Sequence, residues 1–512
     1  MVRRPVRRFF SERDRGSGRA RAPALSVFLL VVSALAFQAP AQSPEDPALV
    51  GQWSPVIDWP VVSVHTHLLP TGDVLFWAYD DSDGFYRWDP ATEAVTVAAD
   101  PVRNVFCSGH SFLPDGSLLI SGGHVRDDIG LRSASIYDPF LDSWTNIPDM
   151  NAGRWYPSST TLGNGDVLVT SGAIFFYRNR LPQVYQVDQN SWRDLTGAEL
   201  VLPLYPRTFL APNGKVFVAT ATSRYLNVMG TGAWSVVSDR LIGGRDDHGS
   251  AVLYDDGKVL WTGGGDLPTE TSEIIDLEDL YPSWQFTGSM AQPRRQNNAT
   301  LLPDGTVLAT GGSSSPGFDE PQGAVLQAEI WDPETGFWST MASGARYRGY
   351  HSTALLLPDG RVLSSGGDDE PNAEIYSPPY LFRGPRPVVG NAPTSVALGE
   401  TFFVETADAA LITDVNWIRL GSLTHGQNWS QRINRLPFSQ TTGGLTVTAP
   451  FSENLSPPGY YMLFILDDNG VPSESKIVQL VPEPASWLML VAGTTFLGLL
   501  YRRRARNGPA SR

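Results

Sequence analysis

The stretch LPDGSLLISGG at residues 113–123 decides the fold, because it returns as LPDGTVLATGG at 302–312 and LPDGRVLSSGG at 357–367. Looser copies centre on Gly72 (LPTGDVLFW), Gly165 (LGNGDVLVTSG), Gly214 (APNGKVFVATA) and Gly257 (YDDGKVLWTGGG). In each, a Gly-containing turn leads into an apolar strand. Asp-Gly and Asn-Gly admit the positive φ of a tight hairpin. Strands that are apolar on both faces belong between neighbouring sheets rather than at a water surface. The turn glycines are 43 to 55 residues apart, the period of kelch-type blades. Seven copies between about residues 50 and 385 predict a closed seven-bladed β-propeller. Trp144, Trp192, Trp234, Trp284 and Trp338 follow most copies and are expected in the blade core.

Composition agrees with many short strands joined by turns: 49 Gly, 40 Pro and 15 Trp in 512 residues. The pattern changes after Pro378-Pro379 and Gly384-Pro385-Arg386-Pro387, which mark a boundary. Beyond it, short β-type segments such as Thr401–Val404, Leu445–Thr448 and Tyr460–Ile465 predict a small immunoglobulin-like β-sandwich over 386–480. The expected fold is therefore all-β: a seven-bladed kelch-type propeller over 42–385, then the sandwich.

The two ends read as addresses. Residues 1–41 hold eight arginines, the apolar run Leu25–Phe37 and the small residues Ala39-Pro40-Ala41. They predict a secretory signal peptide cleaved before Gln42, and Arg7-Arg8-Phe9-Phe10 carries part of a twin-arginine pattern. Residues 481–512 place Val481-Pro482-Glu483-Pro484 before an apolar run, Ala485–Tyr501, and Arg502-Arg503-Arg504. This order resembles the PEP-CTERM sorting signal of Gram-negative bacteria. The resemblance implies an exosortase-type processing enzyme as partner; the same pattern permits an ordinary C-terminal transmembrane anchor. Both readings put 42–480 outside the cytoplasm, at the cell surface or beyond. Without its arginine-rich ends the chain carries a net charge of about −26, which leaves no basic stripe for nucleic acid. A single cysteine, Cys107, forms no internal disulfide, and a bare exported thiol needs burial or a special covalent partner.

The repeat supplies a register. Nine residues before the turn glycines stand Ser63, Cys107, Tyr156, Tyr205, His248, Gln296 and His351. Pseudo-symmetry places them at equivalent points near one mouth of the central channel, where core packing alone would call for Val, Leu or Ala. Cys107 and Tyr156 fall in adjacent blades, so their side chains can touch. Tyr350-His351 adds a phenol and an imidazole together. Imidazole with anionic oxygen suits Cu(II); zinc fits less well with one thiol and no HExxH spacing.

Four segments carry a resemblance: RNVFCSGHSFLPDG (103–116), AGRWYPSSTTLGNGD (152–166), RGYHSTALLLPDGRV (348–362) and GSLTHGQNWSQRINRLP (421–437). In order and character they resemble the copper-site segments of the galactose oxidase and glyoxal oxidase family, with Arg154-Trp155-Tyr156 closer to the glyoxal oxidase branch. The resemblance implies a copper radical oxidase that uses O2 to oxidise small aldehydes, as hydrates, or primary alcohols, with release of H2O2. It implies that Cys107 bonds through sulfur to the Tyr156 ring as a thioether-linked tyrosyl radical cofactor. It further implies copper ligation by Tyr156, His351 and His425, with Tyr350 as axial ligand and base. Ile174, with Phe175 beside it, stands where galactose oxidase stacks a Trp over the thioether, which implies a less shielded radical and disfavours galactose as substrate.

Blander readings stand beside these. A lone buried cysteine is by default an inert thiol, and His351 taken alone is a hydrogen-bonded core histidine. His248 leans towards a pocket role. Arg207 divides between substrate contact and surface. His65, His67, His110 and His124 are expected to be structural or exposed. The alternative for the whole chain is a noncatalytic kelch-propeller surface or matrix adhesion protein.

Overall fold

The computed structural model describes residues 46–79, 83–243 and 248–482. The expected signal peptide and nearly all of the sorting segment lie outside these residues. Among the described residues, no helix is long and apolar enough to cross a membrane.

Among the described residues, seven antiparallel sheets follow one another along the chain, each built on a three- or four-stranded meander. Their first strands are His65–Leu68, Gly109–Phe112, Trp155–Thr161, Arg207–Leu210, Ser250–Asp255, Asn298–Leu301 and Ser352–Leu356. Each is joined to its second strand by the glycine turn read in the sequence. In blade 2, Gly116 has φ 87°. Its N–H donates to the Leu113 carbonyl at 3.0 Å, while Leu113 N–H donates to Ser117 O at 2.8 Å. Asp115 accepts the Ser117 N–H at 2.9 Å, so the Asp-Gly pair closes the turn with both backbone and side chain. The second strands, such as Val74–Trp77, Leu118–Ser121 and Val307–Thr310, are buried at every position. Burying both faces contributes about 1.5–3 kcal/mol for each large apolar side chain. The result is a β-propeller.

The blade tryptophans hold successive blades together. Trp144 Nε1 donates to Ala99 O at 2.8 Å, Trp192 to Pro148 O at 2.7 Å, Trp234 to Ala198 O at 2.8 Å and Trp284 to Ser223 Oγ at 2.9 Å. Each partner belongs to the preceding repeat. Trp338 departs from the rule: its buried indole N–H has no partner, and Trp331 reaches Thr287 Oγ1 at 3.1 Å instead. The ring closes through its own start. Gln52 and Trp53 pair with Ser377 and Tyr376, and Ile57 and Asp58 with Ala373 and Asn372. The segment before blade 1 thus supplies the outer edge of the last sheet and covers the open strand.

Residues beyond the propeller form a five-stranded and a three-stranded sheet around their own core, which includes Val404, Trp417, Leu445, Tyr461, Leu463 and Val478. Between two of these strands the chain leaves the sandwich. Ser422–Thr424 pairs antiparallel with His65–Leu68, the first strand of blade 1, and returns as Gln427–Asn428. His425-Gly426 is the two-residue tip of this hairpin, at φ 51° and 69°, so both tip residues have the positive φ of a primed turn. Buried Arg419 ties the base of the hairpin to the propeller, donating to Thr161 Oγ1 at 2.8 Å and Phe112 O at 3.0 Å.

Candidate active site

The register read from the sequence has a backbone signature. Cys107, Tyr156, Tyr205, His248, Gln296 and His351 all have positive φ, between 44° and 64°. Ser63 is the exception; its hydroxyl instead bonds Ser365 Oγ at 2.8 Å. A non-glycine residue in this region costs about 1–3 kcal/mol and persists only where its surroundings over-determine it. The surroundings are neighbouring blades. Tyr156 N–H donates to Cys107 O at 2.8 Å, Tyr205 N–H to Tyr156 O at 2.9 Å and Gln296 N–H to His248 O at 2.7 Å. Between blades 4 and 5 Arg207 does the joining: its guanidinium donates to Tyr205 O at 3.0 Å and to Gly249 O at 3.1 Å. Arg207 is therefore a buried clasp that also lines the cavity, rather than a surface residue.

Two adjoining lobes of one cavity draw their walls from all seven blades and the sandwich hairpin, which places them on the common axis. One lobe is lined by residues including Trp155, Tyr205, His248, Phe318 and His425; the other by residues including Tyr79, Phe106, Asp127 and His351. Tyr156 and Tyr350 line both. The five residues singled out in the sequence meet here. Tyr156 Oη accepts or shares a proton with Tyr350 Oη in a short hydrogen bond and lies 2.8 Å from His425 Nε2. The His351 and His425 rings are 4.4 Å apart and nearly perpendicular, and Tyr350 lies 3.9 Å from the His351 ring. Cys107 is fully buried in the same cluster as Tyr156. Burial raises its thiol above the usual range, partly offset by interaction with the Tyr156 side chain.

Two partners invisible in the sequence set the histidine tautomers. His351 Nδ1 makes a short hydrogen bond to the Asp368 carboxylate. His425 Nδ1 lies 2.6 Å from Thr424 Oγ1, which itself donates to Val64 O at 2.9 Å and so accepts the imidazole proton. Each ring is thus held through Nδ1, which leaves Nε2 as the nitrogen for a further bond. That of His351 is buried without any partner. Burial, reinforced by His351 and other histidines, holds His425 well below its ordinary value and keeps it neutral. Burial first, then the Cys107 side chain, raises the Tyr156 and Tyr350 phenols. Among the described residues no three His, Cys, Asp or Glu side chains converge as a metal cage. A cation here needs the phenol oxygens as well as the imidazoles. Two imidazole nitrogens and two phenol oxygens are a donor set that suits Cu(II).

The shielding of Tyr156 comes from its own chain neighbour in the Arg154-Trp155-Tyr156 triplet, whose stacking the sequence does not report. Trp155 stacks on the Tyr156 ring at 4.0 Å and 11°, and Tyr205 covers the opposite face at 4.5 Å and 15°. Trp155 Nε1 donates to His124 Nδ1 at 3.1 Å. Ile174 instead sits in a turn, its N–H donating to Tyr177 O at 2.9 Å, and Phe175 is exposed. The expectation of a less shielded ring is thus corrected: the cover comes from the residue adjoining Tyr156 and not from the segment around Ile174. Of the remaining histidines, His65, His67 and His110 are fully buried. His65 accepts the Cys107 N–H at 3.2 Å and its Nδ1 lies 2.8 Å from His110 Nε2, so it buttresses the cysteine backbone. His248 lines the first lobe, its ring 6.0 Å from that of Tyr350.

Comparison with known proteins bears on this arrangement. Residues 386–480 match the family described as Galactose oxidase-like, Early set domain. Galactose oxidase of Gibberella zeae is 30% identical over 505 residues, spanning 86% of this chain and 72% of its own. Aldehyde oxidase GLOX of Vitis pseudoreticulata is 29% identical, spanning 81% of this chain and 90% of its own. A solved fungal alcohol oxidase of the AA5 family, in complex with copper, superposes with a TM-score of 0.77 at 26% identity, covering 84% of this chain and all of that one.

Proposed function

The chain belongs to the galactose oxidase family, and on that footing we propose that it is an exported copper-dependent oxidase that converts small aldehydes, as hydrates, or primary alcohols with O2 to their oxidised products and H2O2. The observation that carries the reading is the meeting of Tyr156 Oη, Tyr350 Oη, His425 Nε2 and the unpartnered His351 Nε2 at the axis. Tyr156, Tyr350, His351 and His425 would hold copper. Copper, when bound, supplies one of the two electron equivalents of the oxidation, the other coming from a Cys107–Tyr156 thioether radical.

The chain's own residues divide the remaining work. As the phenolate left once copper has displaced its proton, Tyr350 Oη would take the substrate's hydroxyl proton, and Tyr156 Oη, as the one-electron-oxidised ring, would take the hydrogen atom of the reacting carbon. Trp155 and Tyr205 clamp the Tyr156 ring and keep water from its faces. Asp368 and Thr424 hold the two imidazoles in orientation. His248 and Phe318 shape the substrate lobe. Export through the N-terminal segment, and processing of the C-terminal segment by an exosortase-type enzyme, belong to the same proposal.

Mass spectrometry of copper-loaded, aerobically matured protein tests it. A cross-link between the Cys107 and Tyr156 peptides, two hydrogens lighter than their sum, is expected. Its absence, with no peroxide from glyoxal, methylglyoxal, glycerol, galactose or aliphatic alcohols, overturns the reading.

A further inference from the structure

The lobe on the Tyr79 side has a one-sided charge. It is a cavity of about 590 Å³ whose wall carries Asp127, Asp368 and Asp369 beside His351. Asp127 and Asp369 are exposed, and neither pairs with an arginine or lysine among the described residues. The field reaches inwards. Asp368, Asp369, Asp83 and Asp319 all bear on the Tyr79 hydroxyl, and Asp368 and Asp127 on that of Tyr350. The nearby cations are turned elsewhere: Arg178 reaches Asp128 at 3.4 Å, and Arg126 lies over the Phe175 and Phe176 rings.

Acidic side chains alone do not name a ligand. The second feature of the lobe does: His351 is only 7% exposed, and its Nε2 has no hydrogen-bond partner there. An imidazole nitrogen left without a partner behind a carboxylate rim suits a divalent transition metal that accepts both oxygen and nitrogen. Oxygen donors favour Cu(II) over Cu(I), which prefers thiolate or thioether, and neither Cys nor Met lines this lobe.

We propose that this acidic lobe is the port by which a cupric ion reaches the centre: Asp127 and Asp369 gather the ion at the mouth, and His351 Nε2 receives it before His425 and the two phenols close around it. The proposal rests on the copper reading above. No electron changes hands. The ion sheds bound water, and the phenol protons it displaces leave to solvent.

Timed uptake of Cu(II) by copper-free protein provides the test, with bound metal read by electron paramagnetic resonance after quenching with a chelator. Focusing by like-charged clefts raises association rates by about 10-fold or more, so the double variant Asp127→Asn/Asp369→Asn should load about tenfold more slowly at low ionic strength. The deficit should fade at high salt, where charges further apart than about 3–10 Å are screened. Final stoichiometry should match the parent, and Asp127→Glu/Asp369→Glu should load at the parent rate. Equal rates for the Asn variant and parent overturn the port. So does a Glu variant as slow as the Asn one, or an Asn variant whose only defect is an altered KM for charged substrates. His351→Ala/His425→Ala separates the two claims. If that protein still binds one Cu(II) tightly, the copper-site reading itself fails; if it does not, while the Asn variant loads normally, the port alone fails.

Discussion

Replacing Thr424 by Val should loosen copper far more than its distance from any reacting atom suggests. Thr424 Oγ1 accepts the His425 Nδ1 proton at 2.6 Å and donates to Val64 O at 2.9 Å, fully buried. Valine keeps the shape and deletes both bonds. The first consequence is on metal. Without an acceptor on Nδ1 the imidazole loses its tautomer and orientation, and loss of such a partner typically costs about 10–100-fold in metal affinity. That corresponds to about 1.4–2.7 kcal/mol. The second consequence is on the copper-free fold. An N–H and a carbonyl are both left buried without partners, at about 1–3 kcal/mol each. Cu(II) affinity from chelator competition, read beside the urea midpoint of the copper-free protein, measures the two separately. Thr424→Ser restores the hydroxyl and should recover most of the affinity. A Val variant that binds copper as tightly as the parent would refute the claim that Thr424 sets the His425 lone pair.

Other substitutions probe neighbouring statements. Cys107→Ala should abolish the proposed Tyr156 cross-link and lower kcat by at least about 100-fold while leaving copper stoichiometry intact, since the proposed copper ligands are other side chains; intact-mass measurement and peroxide release check both, and retained activity would remove the thioether from the scheme. Trp155→Ala removes a stacked ring partner worth about 0.5–1.5 kcal/mol beyond its area and opens one face of Tyr156, so the radical signal in electron paramagnetic resonance should decay faster; an unchanged lifetime would return the shielding role to another residue. Arg207→Met leaves the Tyr205 and Gly249 carbonyls without their donor, and a loss of about 2–4 kcal/mol in unfolding free energy is expected, with Arg207→Lys recovering part of it. For pH, burial lowers His110 to about 3 and His67 in the same direction. Both are neutral when folded and bind protons when unfolded below about 6.5, so unfolded chain takes up more protons and stability falls as pH drops from about 6.5 towards 3. Each contributes up to about 1.4 kcal/mol per pH unit well inside that window. Equal urea midpoints for the copper-free protein at pH 7 and pH 5 would contradict it.

Much of this molecule is legible in its chain alone. The glycine turns announce themselves because positive φ is nearly a glycine property, so LPDG-type phrases repeat where little else does. The register counted back from them leads to Cys107, Tyr156 and His351, and the backbone shows why the count works: six of the seven positions share one left-handed conformation. Other parts are silent. Asp368 follows the Gly366-Gly367 pair at the end of its strand and is one of two adjacent aspartates, and nothing local marks it rather than Asp369 as the partner of His351. Trp155 adjoins Tyr156 in the chain, yet stacking of consecutive residues depends on the φ of 63° at Tyr156, which no side-chain pattern reports. The tryptophan clamps are expected as core, yet only Trp284 is buried and Trp144, Trp192 and Trp234 are partly exposed; nor are they legible as donors to the preceding blade, because their acceptors lie about 36 to 61 residues away and most are backbone carbonyls.

Sequence by itself determined what is periodic or local: the all-β class, the repeat, the change of character near 386, and the chemical types gathered at the ring. These follow from turn stereochemistry and apolar patterning, which act over a few residues. Tertiary structure alone decided what depends on closure. Blade 7 is completed by residues 52–58, and a hairpin from the sandwich pairs with His65–Leu68 to deliver His425 to Tyr156, 269 positions earlier in the chain. Those contacts exist only once the ring has formed, because each joins parts of the chain that no local rule relates.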